Sequence, residues 1–129
     1  RGVQVGTRFL CANECQVHPN YKKKILAARD IDTVVTGKRL GHPVRCLKNP
    51  FARSFGQMEY DSSLTNEEIE AFGAGSLRKA AVEGDMENGS IMAGQIAALV
   101  KEEQPAAQII REMFAQAEQL LAEAAKWVR

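Results

Sequence analysis

Residues 3–10, Val3-Gln4-Val5-Gly6-Thr7-Arg8-Phe9-Leu10, constrain the fold more than any other stretch of this chain. Their apolar alternation, ending in a Gly-Thr pair, predicts a buried strand running into a turn. A buried strand must hydrogen-bond on both sides, because unpaired backbone groups are costly in a core. No other stretch of the 129 residues matches it in quality. Residues 31–36 are β-branched but short, so they predict only a second strand or extended segment. The enclosing sheet is therefore expected from elsewhere, either a preceding part of the same protein or another subunit. The start at Arg1-Gly2, without Met, fits a chain that opens in mid-structure.

The rest reads as about five helices. His18-Pro19-Asn20 opens one, with His18 as its cap and Pro19 at the first helical position, where a missing N–H costs nothing. Residues 44–59 are mixed and partly helical, with Pro50 limiting any helix before it. Thr65-Asn66-Glu67-Glu68 matches a capping box and starts a short helix to about Phe72. Gly73-Ala74-Gly75 is a flexible break. Residues 76–82 predict a further short helix closed by Gly84-Asp85. Ser90 is a plausible cap for a helix over 91–100. From Pro105, Ile109, Ile110, Met113, Phe114, Ala117, Leu120, Leu121, Ala124 and Val128 follow helical spacing. That long amphipathic helix needs something to cover.

Composition, at 45% hydrophobic and 26% charged, is that of a soluble globular protein. No apolar run approaches the roughly 20 residues of a membrane span, and no secretory signal core is present. Cys11, Cys15 and Cys46 are odd in number and form no Cys-x-x-Cys pair, which argues against a disulfide framework or a zinc site. Packed thiols in a reducing cytoplasm are the expectation, with no metal. The net charge of +1 is unevenly spread: residues 1–50 hold ten Lys/Arg against three Asp/Glu, and residues 51–129 hold seven against thirteen. Such asymmetry marks a docking surface or a solvated face. Near-neutral total charge, without aromatic interleaving, argues against nucleic acid.

The ordered set His18-Pro19-Asn20-Tyr21-Lys22, Ala28-Arg29-Asp30-Ile31-Asp32, Thr36-Gly37, Gly41-His42-Pro43-Val44-Arg45 and Gly73-Ala74-Gly75-Ser76, continuing through Gly84-Asp85 to Gly89-Ser90-Ile91-Met92-Ala93-Gly94-Gln95, is more discriminating than any single motif. With residues 3–9 it resembles the flavin-dependent type II enoyl-acyl-carrier-protein reductases, within the nitronate monooxygenase-like superfamily of flavin-binding TIM barrels. The resemblance is colinear over nearly the whole chain. It implies an α/β fold, with this chain a C-terminal fragment of a (β/α)8 barrel that is mostly α by itself. Residues 1–30 would be the last barrel strand and following helix, 31–89 a small cap region, and 90–129 helices packing on the barrel. It also implies reduction of a trans-2-enoyl chain on acyl carrier protein, with NAD(P)H as co-substrate and FMN as cofactor, in a cytoplasmic homodimer. The family's catalytic acid lies upstream of the last strands, so neither His18 nor His42 takes that role.

Candidate site residues follow. On sequence alone Gly6-Thr7 reads as a strand-ending turn. With the resemblance, Gly6 and Thr7 become the FMN phosphate site, since phosphates in such barrels sit after strands 7 and 8, and Gln4 lies on the same strand face. Ser90, Met92, Gly94 and Gln95 are candidates for the flavin or substrate pocket, the small residues at 93 and 94 allowing close packing and Met92 offering adaptable apolar surface, against ordinary helix packing. His42 and Arg45 are candidates for nicotinamide cofactor phosphates, against simple loop capping. The basic residues Lys22, Lys23, Lys24, Arg29, Lys38, Arg39, Arg45 and Lys48 would steer an acidic acyl carrier protein. Two other readings stand beside this one: a nitronate monooxygenase using the same flavin site with oxygen, and a stand-alone helical interaction module built on the C-terminal helix.

Overall fold

The computed structural model describes residues 2–126. Val128 of the predicted C-terminal stripe lies outside the described residues. No helix among those described is long and apolar enough to cross a membrane.

The strand predicted over 3–10 does not form. Residues 2–6 are irregular, with Val3 87% accessible, and Thr7–Leu10 is a single helical turn, α1. The Gly6 carbonyl accepts from the Phe9 amide at 3.0 Å and the Leu10 amide at 3.3 Å, so the chain turns where a strand would have continued. The alternation was real, but a strand needs partners, and none is present among the described residues.

Helix α2, Pro19–Leu26, starts as predicted. Pro19 stands in the first turn and His18 Nδ1 accepts from the Asn20 amide at 3.1 Å. The weak strand is real: β1, Thr33–Thr36, pairs antiparallel with β2, Val44–Leu47, with Thr33 opposite Leu47 and Thr36 opposite Val44. Residues 44–59 therefore hold a strand as well as a helix. Pro50 begins that helix rather than limiting one before it. In α3, Pro50–Tyr60, Asn49 caps with Oδ1 accepting from the Ala52 amide at 2.8 Å. The Asn49 amide group also donates to the carbonyls of Met86 and Gly89, both at 2.8 Å.

The capping box on Thr65 and Glu68 opens α4, Asn66–Gly73. Helix α5 follows at Ser76–Ala81. It ends near Gly84, whose φ is +72° and where a Cβ would stand 2.3 Å from the His18 ring, so glycine is required twice over.

The helix predicted over 91–100 is also overturned. Residues 91–93 run extended beside β2: the Leu47 amide donates to the Ile91 carbonyl at 2.8 Å and the Ala93 amide to the Arg45 carbonyl at 3.1 Å. Ser90 caps no helix; its amide donates to the Ser76 carbonyl at 3.0 Å. Only Gln95–Leu99 coils, as a 3₁₀ turn. The open edge of β2 offered backbone partners that outweighed helix propensity, which is a weak prior. Helix α6, Ala106–Glu123, is followed by a 3₁₀ turn, Ala124–Lys126, at the end of the described residues.

The larger core cluster gathers Cys11, Tyr21, Ile25, Leu47, Ala80, Ile91, Ala97 and Val100, drawing on segments 1–30, 31–89 and 90–129 alike. A second cluster packs Phe51 and Phe55 of α3 on Ile69 of α4.

Candidate functional site

Gly6 stands at the N-cap of α1, so the amides of Thr7 and Arg8 open a helix, where N–H groups have no acceptor inside it. A Cβ on Gly6 would meet nothing within 4 Å, so the backbone here borders open space. Thr7 is buried, and its Oγ1 accepts from the Gly94 amide at 2.7 Å. A hydroxyl that accepts this bond keeps its own proton to donate. Helix-opening amides beside a hydroxyl suit an oxyanion such as phosphate. Gln4 is exposed in the irregular segment and shares no strand face with Gly6, contrary to the prediction.

The turn is braced from behind. The Arg8 guanidinium donates to the Glu102 carbonyl at 3.1 Å and to the Gln104 side-chain oxygen. The Asn13 amide donates to the Gln104 carbonyl at 2.9 Å. Lys22, a buried cation, donates from Nζ to the Ala12 carbonyl at 2.7 Å and to Glu103 at 3.3 Å. Paired this way, Lys22 ties helix α2 to the segments around residues 12 and 103.

A cavity of about 300 Å³ lies between the hairpin and helices α3–α5. Its lining includes Thr36, Leu40, His42, Val44, Phe55, Glu70, Gly73, Ser90 and Met92. Three predicted substrate or nicotinamide residues, His42, Ser90 and Met92, therefore meet in one place. They meet because residues 91–93 are extended: Ile91 and Ala93 point into the core, so Met92 points the other way. Tyr21 Oη donates to the Met92 carbonyl at 2.7 Å, and burial pushes the Tyr21 phenol up, so it remains a proton donor at neutral pH. Two other predictions fall elsewhere. Arg45 donates to Thr33 Oγ1 at 3.0 Å and is not in the cavity lining; Gln95 is exposed at the start of the 3₁₀ turn.

The basic residues are not one free patch. Lys22 is buried, and Arg29 grips Asp32 through two 3.1 Å contacts that hold the Asp32 carboxyl below its usual range. Arg39 donates to Asn66, to the Asp61 carbonyl and to the Leu64 carbonyl, and Arg45 is bound to Thr33. Lys23, Lys24, Lys38 and Lys48 are exposed. Cys11 and Cys46 are buried free thiols, each pushed up by burial.

A family model described as nitronate monooxygenase matches residues 1–116. The chain belongs to the nitronate monooxygenase family. A probable nitronate monooxygenase of Staphylococcus saprophyticus is 35% identical over 101 residues, which is 78% of this chain and 28% of the relative. One from Bacillus subtilis is 28% identical over 120 residues, 88% of this chain and 32% of the relative. Among solved structures, FabK from Thermotoga maritima is 44% identical with a TM-score of 0.90, covering 98% of this chain and 40% of that one. A methionine-to-alanine variant of that protein gives 41% identity and a TM-score of 0.80. The chain thus spans about a third of the curated relatives it matches.

In this family member several site residues carried no sequence signal. Arg8 and Gln104 stand 96 positions apart, and their contact is visible only in three dimensions. Phe55 fell in a stretch read as mixed, and Gly73 read as a flexible break although it ends α4 against the Phe55 ring. Buried Lys22 was hidden among Lys23 and Lys24; only its place on the Tyr21–Ile25 face of α2 could have marked it.

Proposed function

We propose that this chain supplies the phosphate turn and part of the substrate wall of an FMN-dependent oxidoreductase. That enzyme would reduce trans-2-enoyl chains on acyl carrier protein with NAD(P)H, and the chain would belong to the C-terminal part of its flavin-binding TIM barrel. The observation that carries this reading is the 2.7 Å bond from the Gly94 amide to Thr7 Oγ1. It joins the oxyanion-binding turn to the strand that bears Met92. Met92 lies two residues from Gly94, which is roughly 7 Å along an extended chain. Through that short segment the turn is tied to a residue that lines the apolar cavity. The 44% identity to the Thermotoga FabK across 98% of this chain favours the enoyl reductase type.

The residues present fit the FMN phosphate. Gly6 leaves room for close approach, the Thr7 and Arg8 amides and the Thr7 hydroxyl donate, and Arg8 and Lys22 hold the turn in place. When bound, FMN supplies the hydride chemistry. The side chains of this chain bind and orient. Neither histidine is assigned proton transfer to substrate: His18 Nδ1 accepts from the Asn20 amide, and His42 is exposed at the cavity rim. The exposed Lys23, Lys24, Lys38 and Lys48 are the residues we assign to steering an acidic carrier protein. Turnover on carrier-protein substrate should then fall with salt more steeply than turnover on a short thioester.

The names of the curated relatives favour a second reading, oxidation of alkyl nitronates with oxygen. Assaying the full-length protein for NADH-dependent reduction of a crotonyl thioester and for nitronate oxidation separates the two. Enoyl reduction is expected; nitronate oxidation without it overturns the proposal.

A further inference from the structure

We infer that the cavity behind Met92 receives the distal apolar part of the acyl chain, and that Phe55, seated on Gly73, sets the length it accepts. The inference rests on the enoyl-thioester reading above. About 300 Å³ is room for roughly ten groups the size of a water molecule or a methylene. Leu40, Val44, Phe55 and Met92 supply the apolar walls. The charged acid among the lining residues is Glu70, which disfavours a phosphate-bearing occupant and leaves an uncharged chain as the better fit.

Phe55 is held in place. It is buried, tilted at 45° against Phe51 with ring centroids 5.8 Å apart, and lies 6.3 Å from Phe72. A Cβ at position 73 would stand 2.9 Å from Phe55 Cε2, closer than a real contact allows. Gly73 has no positive φ, so the backbone does not demand glycine. The close approach of the ring does. Any side chain at position 73 has to displace Phe55 or fill the cavity, and either change resets its depth.

The test is kcat/KM of the full-length protein on enoyl thioesters of four to sixteen carbons. Wild type should gain up to about fourfold per added methylene and level off once roughly ten carbons lie beyond the enoyl group. Gly73→Val should lower the ten-carbon to four-carbon ratio about tenfold, and Phe55→Leu should raise the sixteen-carbon to ten-carbon ratio about fivefold. Phe55→Leu keeps an apolar plug, and Gly73→Val keeps the whole ring, so the two variants do not share one folding risk. A flat length profile, or variants that scale all lengths equally, overturns the inference. Calorimetric binding of saturated acyl thioesters of the same lengths needs no turnover. If no enoyl thioester is reduced but binding still levels off and shifts in the variants, the activity reading fails and the cavity assignment stands. Length-independent binding sinks the assignment itself.

Discussion

The hairpin region and helix α6 are both built from strongly apolar sequence, yet they end in opposite environments. Ile25, Ile69 and Ile91 are at most 1% accessible, buried by elements that lie within residues 7–100. On α6 only Ile109 is buried, while Phe114 is 67% and Leu121 75% accessible. The helix is tethered by polar contacts at its start: Glu14 accepts from the Ala106 amide at 2.9 Å, and Gln104 donates to Glu112. Helical periodicity states which side wants cover, but it does not state where the cover comes from. For the hairpin it comes from nearby chain. For α6 it is not found among the described residues, and an open apolar stripe of this kind marks a surface meant to be packed.

The largest expected effect tests that difference directly. Ile91→Ala should cost about 2–5 kcal/mol in urea unfolding, because it opens a cavity in a closed core. Phe114→Ala in the 129-residue chain should stay within about 0.5 kcal/mol, the range of an exposed substitution. In the full-length protein the same Phe114→Ala should cost about 3–5 kcal/mol, since there the stripe is expected to be packed. Equal small costs in both contexts would break the comparison.

Asn49 sharpens it next. One side chain caps α3 and binds the carbonyls of Met86 and Gly89, so the closed region is locked by polar as well as apolar contacts. Asn49→Ala should cost about 1–3 kcal/mol. Amide exchange should quicken in residues 86–92 and remain unchanged in α6. Faster exchange in α6 as well would mean that the two regions unfold as one.

What could be read from the sequence divides along the same line. Features with local causes were legible: the His18 and Thr65 caps, Pro19 at a helix start, and the spacing of α6. Features decided by distant partners were not. Residues 3–10 alternate like a strand and yet turn into α1 because no partner strand is present among the described residues; residues 91–93 read as helix and yet pair with β2 because its edge was open. At the proposed site, Gly6 and Thr7 were singled out by a Gly-Thr turn and a resemblance. Their braces, Arg8, Lys22 and Gln104, depend on contacts between positions far apart in sequence. Phe55 and Gly73 escaped notice because a close approach leaves no trace in either residue alone.

Thr7 belongs to the turn that links these regions, and its test is a binding one. Thr7→Val in the full-length protein should weaken FMN binding about tenfold, close to the net value of one hydrogen bond to a charged group. Thr7→Ser should restore most of it. Unchanged FMN affinity in Thr7→Val would remove the residue from the site and leave it a brace for Gly94 alone.

The smallest effect expected is a pH dependence that separates the two regions by the chemistry of their caps. Asn49 is neutral, so the start of α3 should not respond to mild acid. Glu14, fully exposed, tethers α6 through a carboxylate, and its bond from the Ala106 amide holds the carboxyl below its usual range. A carboxyl depressed in the folded state contributes stability that is fully present above the unfolded value, about 4.3. That contribution is lost as pH falls through the lower folded value. Amide NMR shifts of residues 106–109 should therefore titrate below the ordinary glutamate range while those of residues 52–55 stay fixed. Glu14→Gln should abolish the titration at α6, because an amide can still accept the bond but carries no proton equilibrium. If residues 106–109 titrate unchanged in Glu14→Gln, another carboxylate holds the helix and the tether assigned to Glu14 is wrong.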